Sequence, residues 1–479
     1  MRGRRGYSHP VMQQPAIDPA VMRRAWLVMV VVSLASFQTA MSLSIIFVVY
    51  ADLKESFPDA SEAELSWVIN SFTIVGAATL VVGGVLGERW GRRRTLMAGI
   101  AVFTLASAGA ALAPTTGVLI VARAFQGIGT SLSLPMGAAI VIDAFPVARR
   151  GTGVGAWSAN GAVAAAMGPS VGALLVHVGD WRWAFWLNVP FGVIALVFIR
   201  KVIEEHRNPQ TPELPDRLGA LMVLAGVGGV VFALVQSREW SWTDPVVLAA
   251  LIGGPVVLVL LAWRSMRHRL PVIEPRLFRF KSFRLGNYGM LVFSISFFGH
   301  QLVGVNYLTI VWELTIFEAG MLLTPVFVFT GLLSALSGRW ADRWGPARFV
   351  VAGSLMWTGG MVWQWATLAG QEDLVAWVLS VTLAGIGSGL VWGSLFAVMV
   401  ADLPSEFLAS GSSVAQTMMR VGNAFGVAIA VTIIGVTLAV GQIGNLGTSY
   451  VMLAAGGAVT AMLGLRCAQP RDMSAHAFQ

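Results

Sequence analysis

Long apolar runs separated by short polar segments dominate this chain. A helix of roughly 20 apolar residues crosses a bilayer, so the pattern predicts an all-α membrane protein with about fourteen spanning helices. The predicted spans are residues 25–50, 65–86, 95–113, 117–142, 152–177, 183–200, 218–237, 245–263, 286–311, 317–337, 348–368, 374–399, 410–437 and 446–465. The first run is nearly twice as long as the apolar segment of a signal peptide, which has about 7 to 15 residues. We therefore interpret it as a retained helix.

Composition and charge agree with a membrane protein. Hydrophobic residues make up 56% of the chain, charged residues 12%, and the mean hydropathy is +0.72, whereas soluble domains average about 25% charged residues. The net charge is +8, and the stretch GERWGRRRTL at 87–96 is basic enough to suggest nucleic-acid binding. If successive helices cross the membrane in alternating directions, however, about 27 of the 32 Lys and Arg residues lie on the same side as the N-terminus. This bias predicts a multi-pass protein of the cell inner (cytoplasmic) membrane with both termini cytoplasmic, and no nucleic-acid partner.

The residues give no support for enzyme chemistry. Cys467 is the single cysteine, so a cysteine metal centre is not expected. None of the three lysines follows a glycine in a phosphate-binding loop, and neither H-E-x-x-H nor G-x-S-x-G occurs. The sequence therefore predicts no catalytic residue, no metal site and no cofactor.

An internal repeat is more informative. GVLGERWGRRR at 84 and GRWADRWGPAR at 338 both fit G-x-x-x-[DE]-R-W-G-x-x-R. The matched positions are Gly84, Glu88, Arg89, Gly91 and Arg94 in the first copy and Gly338, Asp342, Arg343, Gly345 and Arg348 in the second. The copies follow predicted helices 2 and 10, so equivalent helices are eight apart, which indicates two six-helix halves with two helices inserted between them. Parallel six-helix repeats are a transporter architecture with the substrate site between the halves.

This spacing divides the chain into six predicted parts. They are a cytoplasmic tail (1–24), an N-terminal six-helix bundle (25–203), a linker with two inserted helices (204–264), an amphipathic linker on anionic lipid (265–285), a C-terminal six-helix bundle (286–466) and a second tail (467–479).

The repeated loop has the chemistry of a hinge between helices. Its glycines allow close approach of helix ends, and its acid, Glu88 or Asp342, is expected near the N-terminus of the next helix. The arginines can bridge to that acid or to a neighbouring helix end. The alternative is that the loop residues are topology signals only.

The loop motif resembles the hallmark of the major facilitator superfamily, and the resemblance covers about residues 25–466. WRWAFWLNVPFG at 181–192 is similar to a stretch of the 14-helix drug:proton antiporter group, and RAFQGIG at 123–129 to the family's helix-4 motif. GAVAAAMGPSVGA resembles the helix-5 exporter signature through Gly161, Gly168, Pro169 and Gly172. The resemblance implies a major facilitator fold, alternating access, and export of an amphipathic small molecule by proton antiport. It also implies a monomer in the lipid bilayer, with the proton gradient as energy source.

Helix 1 departs from the group, which usually carries an acid implicated in proton coupling where this chain has Ser42. Arg123 lies at about the same depth and lacks that carboxylate partner. Arg123 is therefore expected to bond Gln38, Gln126 or backbone carbonyls, or to face a wet cavity and bind an anionic substrate group. His300 and Asp143 are the titratable alternatives for a proton, although Asp143 also fits an interfacial ion pair and His300 a packing role.

Further polar or aromatic residues are expected near the middle of the helices. The cavity or coupling candidates are Gln38, Ser42, Asn70, Arg123, Gln126, Asp143, Trp157, Asn160, His300, Asn306 and Arg420. The residues Trp363, Gln416 and Asn423 are also expected near mid-bilayer. Two other functions stay open: a facilitator or dedicated exporter of a lipid or natural product without conventional proton coupling, and a non-transporting membrane sensor or scaffold.

Overall fold

The computed structural model describes residues 18–205, 216–268, 271–367, 373–439 and 449–468. Within these ranges the regular structure is entirely helical. The α-helices are α1 (Pro19–Ser56), α2 (Glu62–Trp90), α3 (Arg92–Ala111), α4 (Thr116–Ala144), α5 (Arg150–Val178), α6 (Arg182–Trp186), α7 (Asn188–Val202), α8 (Arg217–Trp240), α9 (Pro245–Ser265), α10 (Lys281–Ile310), α11 (Ile316–Trp344), α12 (Pro346–Thr367), α13 (Leu374–Val400), α14 (Leu408–Ala439) and α15 (Ser449–Ala468).

The all-α prediction is confirmed. In the described residues, α6 and α7 together form the sixth predicted span, and each other span corresponds to one helix. Eleven spans are long and apolar enough to cross a membrane, by length and composition. Large apolar side chains such as Ile252, Val259 and Trp263 point outward from α9, as expected for helices surrounded by lipid, where every backbone group must be bonded within the helix.

Several helices extend beyond their apolar runs because polar residues cap them. The first helix begins at Pro19 rather than residue 25, since the Asp18 side chain accepts the amide of Ala20 and proline is favourable in the first turn. Its end at Ser56 likewise lies beyond residue 50.

The spaced basic and apolar residues of 264–284 suggest a helix lying on anionic lipid, but the described part of this segment is not one continuous helix. It forms only a short 3-10 turn at Pro275–Arg279, and α10 already begins at Lys281. Pro271 and Pro275 explain the difference, because proline donates no amide hydrogen bond and interrupts a continuous helix. Residues 269 and 270 lie outside the described ranges.

The helices form two halves, α1–α7 and α10–α15. Four packed pairs join the halves in the described residues: α5 with α11, α2 with α14, α5 with α13 and α4 with α14. The first two pairs are the most extensive. These pairs are equivalent by the repeat, because α2 and α11 each precede one copy of the loop motif. We call the end of the bundle that carries both loops the motif end. The predicted limits of the six parts of the chain stay predictions, and both tails lie largely outside the described residues.

The inserted pair, α8 and α9, attaches to one side of this interface. Apolar side chains of α8, including Val227 and Val231, pack into one cluster with Val81 of α2 and Ala428 of α14. The two inserted helices are joined at the motif end by an ion pair in which both Arg264 Nε (2.7 Å) and Nη2 (2.8 Å) donate to the Asp216 carboxylate. The inserted pair therefore contacts both halves through α8.

Loss of this ion pair is expected to destabilise the inserted pair in a pH-dependent way. The Arg264 hydrogen bonds hold the pKa of Asp216 at about 2, below its ordinary value of 3.8. A lowered pKa stabilises the fold above the ordinary value, and this contribution disappears as pH falls through the lowered one. Asp216→Asn should therefore lower the thermal midpoint in detergent by a few degrees at pH 7 and by less at pH 3. Asp59→Asn, in an exposed loop, is the control. An equal deficit at both pH values would contradict this account.

Candidate functional site

The first carboxylate of the repeated motif joins the two halves. Glu88, near the end of α2, accepts the backbone amide of Ser410 through Oε1 at 2.8 Å and the Ser410 hydroxyl through Oε2. Ser410 lies in the first turn of α14, in the other half. The positive end of a helix dipole and its free amide groups favour a carboxylate at this position.

The second carboxylate makes the equivalent contact from the second half to the first. Asp342, near the end of α11, accepts the amides of Gly151 (2.8 Å) and Thr152 (2.9 Å) and the Thr152 hydroxyl. Gly151 and Thr152 lie in the first turn of α5, in the first half. Each half thus supplies one acid that caps a helix of the other half, and the two caps lie at the motif end.

The motif glycines have two different structural roles. A Cβ on Gly84 would lie 2.4 Å from Ser413 Oγ, and one on Gly338 would lie 2.1 Å from the carbonyl oxygen of Gly151. Both positions therefore require glycine, because a side chain would prevent the close contact between the halves. Gly91 and Gly345 instead adopt positive φ values of 108° and 82° at the breaks before α3 and α12, where a side chain would be strained.

The arginines of the first loop contact groups that the sequence did not identify. The amides of Arg93 and Arg94 at the start of α3 donate to Glu205 (3.1 and 3.2 Å). Glu205, which follows α7, therefore occupies the place expected for Glu88. Arg92 lies 3.4 Å from Asp143, the interfacial ion pair anticipated for that acid.

The remaining motif arginines are Arg89, Arg343 and Arg348. Arg343 and Arg348 are exposed. Arg89 lies beside Glu88 in the last turn of α2 and has further interactions of its own.

Sequence reasoning missed the partners of both acids, Ser410 on one side and Gly151 with Thr152 on the other. One signal was available: Gly151 and Gly155 have the small-x-x-x-small spacing that allows close helix packing in membranes. A Cβ on Gly155 would lie 2.4 Å from the carbonyl oxygen of Ser334 on α11.

Arg123 is bonded inside the first half. Its Nε donates to the carbonyl of Val68 (2.9 Å), its Nη1 donates to Gln126 (2.8 Å), and its guanidinium lies over the Phe72 ring. Gln126 in turn donates to Ser107. Of the alternatives foreseen for Arg123, the structure has the bonds to Gln126 and to a backbone carbonyl, so this side chain ties α2, α3 and α4 together.

His300 lies inside the second half, fully buried between the rings of Trp357 and Tyr450. Its Nε2 is 3.2 Å from the Gln364 side-chain oxygen, whereas Nδ1 has no hydrogen-bond partner. This environment matches the packing role considered for the residue.

Other candidates line the contact between α1 and α5. Asn160 donates to the carbonyl of Ser33 and the hydroxyl of Ser36, and Trp157 packs on Phe396 of the other half at 5.8 Å between ring centroids. Gln38 and Ser42 are buried in α1.

The remaining candidates are the exporter-motif residues of α5 and two asparagines, Asn70 and Asn306. Gly168 and Gly172 are buried in α5, a Cβ on Gly161 would meet nothing within 4 Å, and the side chain of Pro169 lies outside the described residues. Asn70 donates to Ser66 at 3.5 Å, and Asn306 donates to the carbonyl of Leu302 in its own helix.

Arg420 is a second predicted candidate, besides Trp157, whose side chain approaches the other half. It extends from α14 towards α2, where its Nη1 is 3.3 Å from the position that a Cβ on Gly76 would take. Among the described residues there is no group of three or more His, Cys, Asp or Glu side chains that could hold a metal ion.

The structure has two six-helix halves, which are joined by reciprocal caps at one end and have an apolar outer surface. These features define a multi-pass membrane transporter of the two-half class. The chain belongs to the Major Facilitator Superfamily, whose sequence profile matches residues 32–427. The predicted family is therefore confirmed.

Similar proteins include several resistance proteins. The lincomycin resistance protein LmrB of Listeria monocytogenes is 27% identical over 396 residues, which cover 83% of this chain and 82% of that protein. The tetracenomycin C resistance and export protein of Streptomyces glaucescens is 27% identical over 410 residues, 85% of this chain and 75% of that protein. The methylenomycin A resistance protein of Streptomyces coelicolor is 29% identical and covers 81% of each chain.

Solved structures match the fold. The human organic anion transporter MFSD10 superposes with a TM-score of 0.66 at 14% identity, over 92% of this chain and 99% of that one. The proton:xylose symporter XylE gives a TM-score of 0.61 at 17% identity, over 93% and 96% of the two chains. At these identities the similarity establishes the major facilitator fold alone.

Proposed function

We propose that this protein is a secondary active exporter of amphipathic small molecules, of the drug-efflux type, and that it works by alternating access. The observation that carries the proposal is the reciprocal pair of caps formed by Glu88 and Asp342. The two contacts join the halves at one end only, so breaking both frees that end to open. Packed interfaces of this kind switch between discrete arrangements rather than deforming continuously.

The proposed direction is outward across the inner (cytoplasmic) membrane. The positive-inside distribution supports a cytoplasmic position for the motif end and for both termini, so the described conformation is closed towards the cytoplasm. Export is supported by the helix-5 resemblance and by the similar proteins, which are named for resistance and, in one case, for export. The protein is proposed to act as a monomer in the bilayer.

Proton antiport is the proposed energy source, and transport without proton coupling is the second candidate. Two observations favour the second candidate. Ser42 stands where similar exporters carry an acid, and each described carboxylate within a helix lies within about one turn of a helix end. Proton transfer through His300 is the variant of antiport to test next.

The test is energised uptake into everted membrane vesicles of cationic, neutral and anionic dyes, before and after addition of a protonophore. Uptake that collapses with the protonophore would support coupling to the proton motive force, and persistent uptake would support the second candidate. If the folded, abundant protein moves none of the dyes, the drug-export proposal fails. A membrane sensor or scaffold would then be the better account, and it predicts tolerated changes at Glu88 and Gly168.

A further inference from the structure

Arg420 differs from Arg123 in having no acceptor for its hydrogen bonds. The residue is 9% exposed, and its buried Nε has no partner. A guanidinium has five N–H donors, yet in the described part of the chain none of those on Arg420 makes a hydrogen bond or an ion pair. Since a buried charge without a partner is strongly unfavourable in a membrane, this side chain calls for an acceptor supplied from elsewhere.

A second unused donor lies one helical turn away. Gln416 is 4% exposed, and its Nε2 has no hydrogen-bond partner. Residues four apart in a helix lie on the same face, so the two side chains leave α14 in the same direction. Both unsatisfied atoms are donors, and this combination suits an anionic or strongly accepting group.

The position of the pair is that of a substrate site. Arg420 lies about 18 Å along α14 from its motif-end terminus, at 1.5 Å per residue, which is near mid-bilayer. Nη1 lies beside Gly76 of α2, and Gly76 in turn packs on Gly127 of α4. Arg420 therefore extends from one half onto the other, at the interface that alternating access would open.

The surrounding charge is positive. Arg123 is also buried in the middle region, one turn along α4 from Gly127, whereas Ser42 offers no carboxylate from α1. Because the described carboxylates within the helices lie close to helix ends, neither cation is neutralised by a nearby acid.

We propose that Arg420 and Gln416 form a subsite for the anionic group of an amphipathic organic acid, such as a carboxylate or a sulfonate. This inference rests on the proposed export function and names its substrate class. The planar guanidinium binds such a group with two parallel hydrogen bonds, and Gln416 adds a third donor. Outward movement of an anion is favoured by a membrane potential that is negative inside. The membrane potential therefore drives export of an anion bound at this subsite, and no acid in helix 1 is needed.

The test compares two fluorescent compounds that share one ring system, anilinonaphthalene sulfonate and uncharged anilinonaphthalene, in energised everted vesicles. Arg420→Gln should lower uptake of the sulfonate at least about tenfold, the effect of losing a charged hydrogen-bond partner, and leave uptake of the neutral compound nearly unchanged. Arg420→Lys should give an intermediate loss, because it keeps the charge but not the fork. Arg466→Gln, which removes an exposed positive charge at the end of α15, should have no effect.

Two further measurements make the result independent of a single variant. Gln416→Leu should lower sulfonate uptake selectively even if Arg420→Gln does not fold. Valinomycin with potassium, which removes the membrane potential, should reduce sulfonate uptake more than nigericin, which removes the pH difference.

The outcomes separate the two proposals. Unchanged sulfonate uptake in folded Arg420→Gln, or an equal loss for both compounds, overturns the subsite and leaves the export function intact. A folded wild-type protein that moves neither of these compounds nor ethidium contradicts export itself, and the subsite with it.

Discussion

Gly338→Val should reduce transport by at least about tenfold while the protein still inserts and folds. The added Cβ would lie 2.1 Å from the carbonyl oxygen of Gly151 and 3.0 Å from the Cα of Gly155, and these are backbone atoms that cannot rotate away. The α5 and α11 helices must then separate at the motif end, and the Asp342 cap is lost with them. Overpacking of a close contact costs about 1 to 3 kcal/mol, which shifts a two-state equilibrium by about 5-fold to 150-fold.

A matched control lies on the same helix. Gly320 is near the opposite end of α11, where a Cβ would meet nothing within 4 Å. Gly320→Val should therefore transport at close to the wild-type rate. Uptake into everted vesicles, normalised to the amount of monodisperse protein, measures both variants. Wild-type flux in Gly338→Val, or an equal loss in Gly320→Val, would show that close contact at Gly338 is not required for transport.

Asp342→Ala should shift the conformational equilibrium towards opening at the motif end. Three donors at the start of α5 lose their acceptor, and a hydrogen bond to a charged group contributes about 1.5 to 3 kcal/mol net of exchange with water. A net change of about 1.4 kcal/mol alters the open population tenfold. Transport should fall because one state is over-populated, although the protein remains folded.

The shift can be measured with a thiol-reactive maleimide. Ser334 is buried on α11, where its carbonyl oxygen faces Gly155 of the other half and its hydroxyl donates to the carbonyl of Gly389 on α13. Ser334→Cys in a Cys467→Ser background therefore reports whether the packing at this junction of α5, α11 and α13 has loosened. We expect Asp342→Ala to raise the labelling rate of this thiol about tenfold.

Glu318→Ala provides the matched control for Asp342→Ala. Glu318 is also a capping carboxylate of α11, but its capping box joins it to Thr315 at the start of its own helix, not to the other half. Its removal should cost local stability without changing the labelling rate. Equal labelling in Asp342→Ala and the parent protein would mean that the cap does not hold the motif end closed.

The repeat could be found from the sequence, but the contacts across the interface could not. Comparing the two copies pairs Glu88 with Asp342, because both follow the same pattern of neighbours. Each acid instead bonds to the start of a different helix, at Ser410 and at Thr152, and these segments lie far from the motif in the chain. The motif acid lies near the start of the next helix, as expected, but the carboxylate that bonds to the start of α3 is Glu205, which follows α7.

The roles of the two arginines show a similar limit. Rise per residue gave an approximate depth for Arg123 but not the direction in which its side chain leaves the helix. In the structure Arg123 points into its own half, towards Val68 and Gln126, whereas Arg420 points across the interface towards Gly76. The property first considered for Arg123, recognition of an anionic group, therefore suits Arg420 better.

The helical membrane fold, the six-plus-two-plus-six organisation and the family could be predicted from the sequence, because apolar length, charge bias and a repeated motif are properties of consecutive residues. The three-dimensional packing was needed to show which helices meet, which acids cap which helix ends, and which buried cation has no acceptor in the described residues. These properties depend on the rotation of each helix about its axis and on contacts between residues more than 190 positions apart, such as Gly151 with Asp342 and Ser410 with Glu88. Packing of the whole bundle sets them together.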